Sequence, residues 1–334
     1  MKAVTRRAYG SADVLKVEDV AKPVPQDDEV LIEVRAASLN RGDWRMMRGK
    51  PFMARLAAGP FKPRKAILGA DIAGRVEAVG RSVKRFQPGD DVFGDITFLG
   101  SGGFAEYAVA RETLLVKKPA GLTFEQAAAV PMAAVTAWQG LRDKGKIRPG
   151  QSVLIYGASG GVGSFALQLA KLFGAEVTAV CGPGSGELAW SLGAARVLDY
   201  TREDFAAENR RYDLILGVNG DRSLSEFKRA LKPEGIYLAV GGSDKQIFQA
   251  LFLGPWKSLG RRRKLGVLVA KPSGAALEAI SGYLEAGKIK PGIDRCFPLS
   301  QAAAAMRYLD AGHVKGKIVL AVRPDAANLS PSGR

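Results

Sequence analysis

Apolar and polar positions alternate with a period of two through much of the first 120 residues. KAVTR, VLKVEDV, EVLIEVRAAS, DIAGRVEAVG and FAEYAVA all show the pattern, which predicts half-buried strands. Pro23, Pro25, Pro88-Gly89 and the stretch Gly100 to Gly103 break these runs. After Leu122 the texture changes. The Ala-rich segment TFEQAAAVPMAAVTAWQGL predicts helix, and short apolar runs then alternate with helical segments. VLIYG, EVTAVC, RVLDY and YDLILGV read as strands, FALQLAKLFG and ELAWSLG as helices, and SLSEFKRALK as a helix ending before GIYLAVGG. This predicts an α/β fold with a doubly wound parallel sheet. From GKIKPGIDRCF to KGKIVLAV the chain returns to strand-like segments around one helix, QAAAAMRYLDAG, and the polar end DAANLSPSGR is expected to fray.

A chain of 334 residues is long enough for two domains with substantial cores. Its 40 glycines point to many turns and to a loop that approaches a ligand closely. Two cysteines, Cys181 and Cys296, cannot build a disulfide framework, which fits a reducing cytosol. The amino terminus MKAVTRRAYG lacks the apolar run of a signal peptide, and the uncharged stretch from Gln126 to Leu141 is short and interrupted by Pro131. The expectation is a soluble, cytoplasmic protein.

Charge changes the picture, since 49 basic against 33 acidic residues leave +16. An anionic ligand, a nucleic acid or a membrane surface all become candidates, without a choice among them. The densest basic cluster comprises Lys257, Arg261, Arg262, Arg263 and Lys264; Arg41, Arg45, Arg48 and Lys50 form a looser one. Without a recognisable groove motif, a solvated face is the favoured reading of both.

The chemistry is concentrated in Tyr156-Gly157-Ala158-Ser159-Gly160-Gly161-Val162-Gly163-Ser164, where a strand feeds a glycine loop that opens a helix. Its core, A-x-G-x-x-G, is one methyl group away from the dinucleotide fingerprint. Gly160 lets the backbone approach a pyrophosphate, Gly163 lets the helix pack on the strand, and unpaired N–H groups at the helix start face the anion. The next strand ends in Cys181-Gly182-Pro183-Gly184-Ser185-Gly186, where an NAD-preferring site carries an acidic residue. Without that carboxylate, Ser185 and nearby N–H groups are open to a 2′-phosphate, which favours NADP. The loop holds no Arg or Lys, so Tyr200 or a more distant cation has to contribute.

The single histidine, His313, and the two cysteines lie too far apart in sequence to assemble a zinc ligand set by spacing, and no clustered Asp/Glu motif suits a harder ion. No metal is expected. His313 reads as a surface or helix-terminal residue, or as one adjacent to cofactor.

Taken together, several short motifs resemble the zinc-free, quinone-oxidoreductase-like branch of the medium-chain dehydrogenase/reductase superfamily. They are Ala37-Ser38-Leu39-Asn40 with Asp43, Gly69-Ala70-Asp71 with Gly74, Val76 and Gly80, Pro88-Gly89-Asp90 with Val92, Gly103-Phe104-Ala105-Glu106-Tyr107, the glycine loop, Leu192-Gly193-Ala194 followed by Asp199-Tyr200, and Lys315-Gly316-Lys317. The resemblance implies a GroES-like β-barrel domain over 1–121 and 288–334, a Rossmann domain over 122–287, and catalysis in the cleft where they meet. Where the zinc-bearing branch has a cysteine and a histidine, this chain reads Leu39-Asn40 and Gly69-Ala70-Asp71.

It further implies hydride delivery from NADPH to a quinone or an α,β-unsaturated carbonyl, a homodimer, and a set of cofactor contacts. Asn40 and Thr136 would lie near the nicotinamide and its phosphate, and Ser159, Gly160, Gly161, Val162 and Gly163 on the pyrophosphate. Gly182, Ser185 and Tyr200 would surround the adenosine phosphate, with Asn219, Gly241 and Gly242 at later strand ends. Asp43 and Asp71 stand either near the chemistry or as caps for backbone N–H groups. Some relatives carry a tyrosine near Phe52, which has no hydroxyl, leaving Asn40 and Tyr107 as candidate catalytic residues, with Tyr107 or water as proton source. The stretch from Met46 to Lys65, including Met53, borders the substrate or covers the barrel. An enoyl-thioester reductase of the same fold, and a cofactor-binding protein with an RNA, membrane or partner role, are the alternatives.

Overall fold

The computed structural model describes residues 1–52, 55–97, 102–242, 249 and 263–323. Met53, Gly100, Ser101, Lys257, Arg261, Arg262 and the 325–334 tail lie outside them. The chain forms two compact units, one comprising 1–132, 272–285 and 291–334, the other 133–271 and 286–290.

The first unit is the GroES-like one. Its main sheet of seven strands is built on β3, Glu29–Leu39, after a separate antiparallel pair of β1, Lys2–Thr5, and β2, Lys16–Asp19. Strand β3 pairs antiparallel with β4, Asp71–Val79, and with β6, Tyr107–Arg111. Strands β5, Asp91–Asp95, and β7, Leu115–Lys117, continue the sheet beyond β4. Register shifts at Leu31/Ile32 and Val34/Ala36 bend β3, as bulges do in curved sheets. Val30, Ile32 and Val34 enter a core shared with Ile72, Val76, Phe104 and Leu115. Both β5 and β7 escaped the alternation reading, because each is short and β5 begins and ends on aspartate.

Helix Phe124–Ala128, which composition groups with the second half, packs on β3 and β4 of this unit. Thr123 caps it, accepting from the Gln126 N–H at 3.2 Å while Gln126 accepts from the Thr123 N–H at 3.0 Å. Pro131 then starts a separate helix, Pro131–Trp138, splitting what the sequence presents as one helical run.

Among the described residues the second unit holds six parallel strands, β8 Ser152–Tyr156, β9 Glu176–Cys181, β10 Arg196–Asp199, β11 Tyr212–Gly217, β12 Leu231–Ala239 and β13 Lys264–Val267. Their spatial order, β10-β9-β8-β11-β12-β13, is the doubly wound arrangement with its reversal between β8 and β11. Strands buried on both faces read as continuous apolar runs, as VLIY does. Helix Leu224–Ala230 stops earlier than expected, because Leu231 already pairs with Tyr212 as the first residue of β12.

The tail returns to the first unit as β14, Ile293–Pro298, and β15, Lys317–Ala321, flanking helix Ala302–Asp310. Helix Gly274–Glu285 and strand β13 were not anticipated. Among the described residues, no helix is long and apolar enough to cross a membrane.

Candidate functional site

In the second unit the loop after β8 is shaped from inside. Gly157 has φ +87°, and a side chain there would lie 2.8 Å from the Asn219 backbone nitrogen. Its N–H and that of Ala158 both bond the Val180 carbonyl, at 2.9 and 3.0 Å, which fastens the loop to the end of β9. Helix Gly161–Leu172 follows. A Cβ at Gly163 would stand 2.2 Å from the Gly157 carbonyl oxygen, so only glycine lets this helix sit so close to the strand end.

Gly160 differs from Gly163. It has φ −78° and ψ 177°, a conformation open to any residue, and an added Cβ would meet nothing nearer than the Gly157 oxygen at 3.8 Å. No side chain caps the helix here, so the N–H groups of Gly161, Val162 and Gly163 have no intrahelical acceptor. A loop of small residues thus opens onto uncompensated donors at a helix start, the geometry that receives a pyrophosphate. Ser159 belongs to the same turn.

Asn219 and the pair Gly241 and Gly242 gather at the same edge. Asn219 follows β11 with its N–H on the Tyr156 carbonyl (3.3 Å), and Gly241 follows β12 with its N–H on Gly217 (3.2 Å). A Cβ at Gly241 would lie 2.4 Å from the Val218 oxygen. The carboxyl ends of β8, β11 and β12 therefore converge at the topological switch point, where open α/β sheets hold ligands.

At the end of β9, the Tyr200 ring packs over Gly182, whose added Cβ would be 3.1 Å from that ring. Tyr200 remains half exposed. Ser185 is buried and its side chain makes no helix-capping bond, so Tyr200 and the Gly182 backbone form more of the accessible lining here than Ser185 does. Arg202, exposed and in no ion pair among the described residues, follows two positions after Tyr200, a cation that attention to the loop alone overlooked. Thr136 is buried in helix Pro131–Trp138.

The first unit contains a separate buried polar network. Asp71, fully buried, accepts hydrogen bonds from Ser38 Oγ (3.1 Å), Asn40 Nδ2 (3.0 Å), the Met132 N–H (2.8 Å) and Lys317 Nζ (3.2 Å). Lys317 Nζ also donates to Asn40 Oδ1 at 2.6 Å, so both ends of the Asn40 amide are fixed. Asp43 accepts from the N–H groups of Asn40 (2.9 Å) and Gly69 (3.1 Å), a capping role for helix Arg41–Arg48. Asp43 is held by backbone N–H groups, whereas Asp71 takes one backbone N–H, from Met132, and three side-chain donors. Lys317, visible in sequence only as part of Lys315-Gly316-Lys317, brings the cation that meets the Asp71 charge.

Burial raises the Asp43 carboxyl to about 6, against the pull of its two N–H donors. Asp95, opposite Asp71 across β4 and β5, is pushed up to about 7 by burial and then by the Asp71 charge. In the unfolded chain Asp95 loses its proton near its ordinary value of 3.8. The fold holds that proton more tightly, so its contribution to stability is present at low pH and is lost as pH rises from there through about 7. Asp95→Asn keeps an acceptor for Thr97 but cannot ionise. It is expected to be about 4 kcal/mol more stable than the parent at about pH 8 and within about 0.5 kcal/mol of it at about pH 4, in urea melts at both values.

Tyr107 requires a correction. It pairs with Glu33 on β3, seven residues before Asn40, so at ~3.3 Å per residue the two stand roughly 20 Å apart along the strand. Its hydroxyl accepts from Arg323 at 3.4 Å, and Lys22 lies 3.8 Å from its ring centre. Tyr107 therefore belongs to a surface ion cluster and not to the Asn40 network. His313 is exposed beyond helix Ala302–Asp310. Of the basic groups, Arg263 donates to the Lys232 carbonyl at 3.0 Å and Arg48 pairs with Asp310.

Residues 26–120 match the alcohol dehydrogenase GroES-like domain family, and residues 192–320 match a family described as zinc-binding dehydrogenase. Among the described residues, no group of three or more His, Cys, Asp and Glu is placed to hold a metal ion. The chain is 36% identical over 332 residues to a chloroplast envelope quinone oxidoreductase homolog of Arabidopsis thaliana, covering 96% of this chain and 98% of that protein. It is 35% identical to an NADPH-dependent alkenal/one oxidoreductase of the same plant, covering 96% of this chain and 79% of the other. Its fold matches the quinone oxidoreductase from Coxiella burnetii with a TM-score of 0.86 and 30% identity, over 97% of this chain and 99% of that one.

Proposed function

Since the chain belongs to the quinone-oxidoreductase-like family of medium-chain dehydrogenases/reductases, we propose that it is a zinc-independent enzyme that uses NADPH to reduce a quinone or an α,β-unsaturated carbonyl. The observation that carries the reading is the open face of Gly160 above an uncapped helix start at the switch point of the parallel sheet. When bound, the dihydronicotinamide supplies a hydride, which the electron-poor acceptor takes up together with a proton from water.

The chain's own residues bind and orient. The N–H groups of Gly161, Val162 and Gly163 hold the pyrophosphate, with Asn219, Gly241 and Gly242 lining the same edge. Tyr200 and the Gly182 backbone lie against the adenosine end, where the loop from Cys181 to Gly186 brings no carboxylate and Arg202, whose charge also acts on the neighbouring Asp199, attracts the 2′-phosphate. The internal Lys317 ammonium compensates the Asp71 charge within the barrel unit.

Titration of the purified protein by nicotinamide fluorescence is expected to show NADPH binding at least about tenfold tighter than NADH, with Arg202→Ala narrowing the gap. No binding of either at about millimolar concentration would end the reading. With NADPH present, a naphthoquinone or an alkenone is expected to turn over faster than a crotonyl thioester. The reverse order would assign the chain to enoyl-thioester reduction.

A further inference from the structure

Between Asp43 and Asp71 the sequence contains no acidic residue, while Arg45, Arg48, Lys50, Arg55, Lys62, Arg64 and Lys65 all fall in that interval. The same interval holds an unusual density of uncovered apolar surface. Phe52 is 70% exposed, Leu56 62% and Phe61 95%, whereas the other large exposed apolar side chains, such as Val24, Trp190 and Val269, are scattered along the chain. Single exposed apolar residues need no explanation, but three within ten positions, rimmed by cations, mark an interaction surface.

The surface is built into the fold. Gly59 has φ +118°, and a Cβ there would lie 2.0 Å from the Lys62 carbonyl oxygen, so the chain reverses tightly beneath Phe61. The Gly59 N–H bonds the Arg55 carbonyl at 2.8 Å and the Arg64 N–H bonds the Ala58 carbonyl at 2.9 Å. The Tyr9 hydroxyl donates to the Gly59 carbonyl at 2.8 Å. Arg55 donates to the Gly49 carbonyl at 3.0 Å, with its guanidinium 4.5 Å from the Tyr9 ring centre and 5.4 Å from that of Phe52. These bonds hold the turn in place and leave its rings facing water. Lys50 and Lys62 are exposed and form no ion pair among the described residues.

We propose that this turn, through Phe52, Leu56 and Phe61 with Lys50 and Lys62 beside them, docks the protein onto an anionic lipid bilayer. Apolar side chains enter the boundary between headgroups and acyl chains, and lysines beside them reach lipid phosphates while their stems stay in apolar surroundings. Charge complementarity selects this partner, because residues 44–70 carry seven cations and no carboxylate of their own, and the nearby Asp310 is already paired with Arg48, so the cations outweigh the acid facing an anionic leaflet. The exposed aliphatic Leu56 adds contact area that a nucleic acid, read through cations and ring stacking, does not use. The proposal stands independently of the reductase reading, although a lipophilic quinone would dissolve in the same bilayer.

Flotation of the full chain with vesicles of phosphatidylcholine, alone or with about one third phosphatidylglycerol, tests it. The protein is expected to float with the anionic vesicles only, and less as salt rises. Lys50→Glu with Lys62→Glu should weaken binding at least about tenfold. Phe52→Ser with Phe61→Ser should weaken it to a similar extent while preserving its salt dependence, and both double variants should melt with the parent, since the altered side chains are exposed. Failure of the parent to float on anionic vesicles overturns the proposal, as does flotation of both variants like the parent. An RNA band shift lost in both variants, or concentration-dependent dimerisation lost in both, without vesicle binding, would transfer the surface to that other partner and overturn it equally.

Discussion

Gly160→Val is expected to fold with a stability close to that of the parent and to bind NADPH about a hundredfold more weakly. The first half of this expectation follows from the open space at Gly160, where an added Cβ has no neighbour nearer than 3.8 Å and the backbone is extended. The second half follows from the same space, because the valine methyl groups occupy the approach to the N–H groups of Gly161 to Gly163. Loss of one or two charge-assisted hydrogen bonds, at about 1.5 to 3 kcal/mol each, corresponds to roughly a hundredfold in affinity. Gly163→Val is the control with the opposite outcome. Its Cβ would meet the Gly157 oxygen at 2.2 Å, so that variant loses stability as well as binding. Melting curves and fluorescence titration of the two variants separate the roles; unchanged cofactor affinity in Gly160→Val would remove the loop from the binding site.

Lys317→Met is expected to destabilise the protein by about 3 to 5 kcal/mol, because it leaves the Asp71 carboxylate buried without its cation. The ammonium is 4% exposed and lies 3.2 Å from Asp71 Oδ2, so no water replaces it readily. The double variant Lys317→Met with Asp71→Asn should recover a large part of the loss, since neither charge is then stranded. If the two substitutions add without recovery in urea denaturation, the pair does not hold the network together.

Much of the second unit was legible in the sequence because its signals are local. A buried parallel strand is a short apolar run, and the turn from Tyr156 to Gly163 needs particular glycines at particular offsets. Even there the identical-looking glycines separate only in three dimensions, one excluding a side chain for packing and the other leaving room. The polar network of the barrel was not legible. Asn40, Asp71 and Lys317 are scattered along the chain, and their meeting depends on the register of β3 against β4 and β15. Tyr107 shows the same limit from the other side, since its motif neighbours suggested chemistry while its register sets it against Glu33 in the middle of β3, seven residues before Asn40. Strand β13 begins at Lys264, inside what the sequence presents as a basic cluster, and a charge run masks a strand.

The interleaved make-up of the first unit also dictates the order of events during synthesis. Strand β15 pairs directly with the central strand β3, yet it is encoded by residues 317–321, after all of the parallel sheet has been translated. The later-encoded Rossmann half therefore has all of its described strands translated while the barrel half still waits with the edge of β3 unpaired. An early stop codon or a nascent chain stalled before Lys317 would leave that edge open to neighbouring polypeptides, which places the chief hazard of aggregation in the last steps of translation.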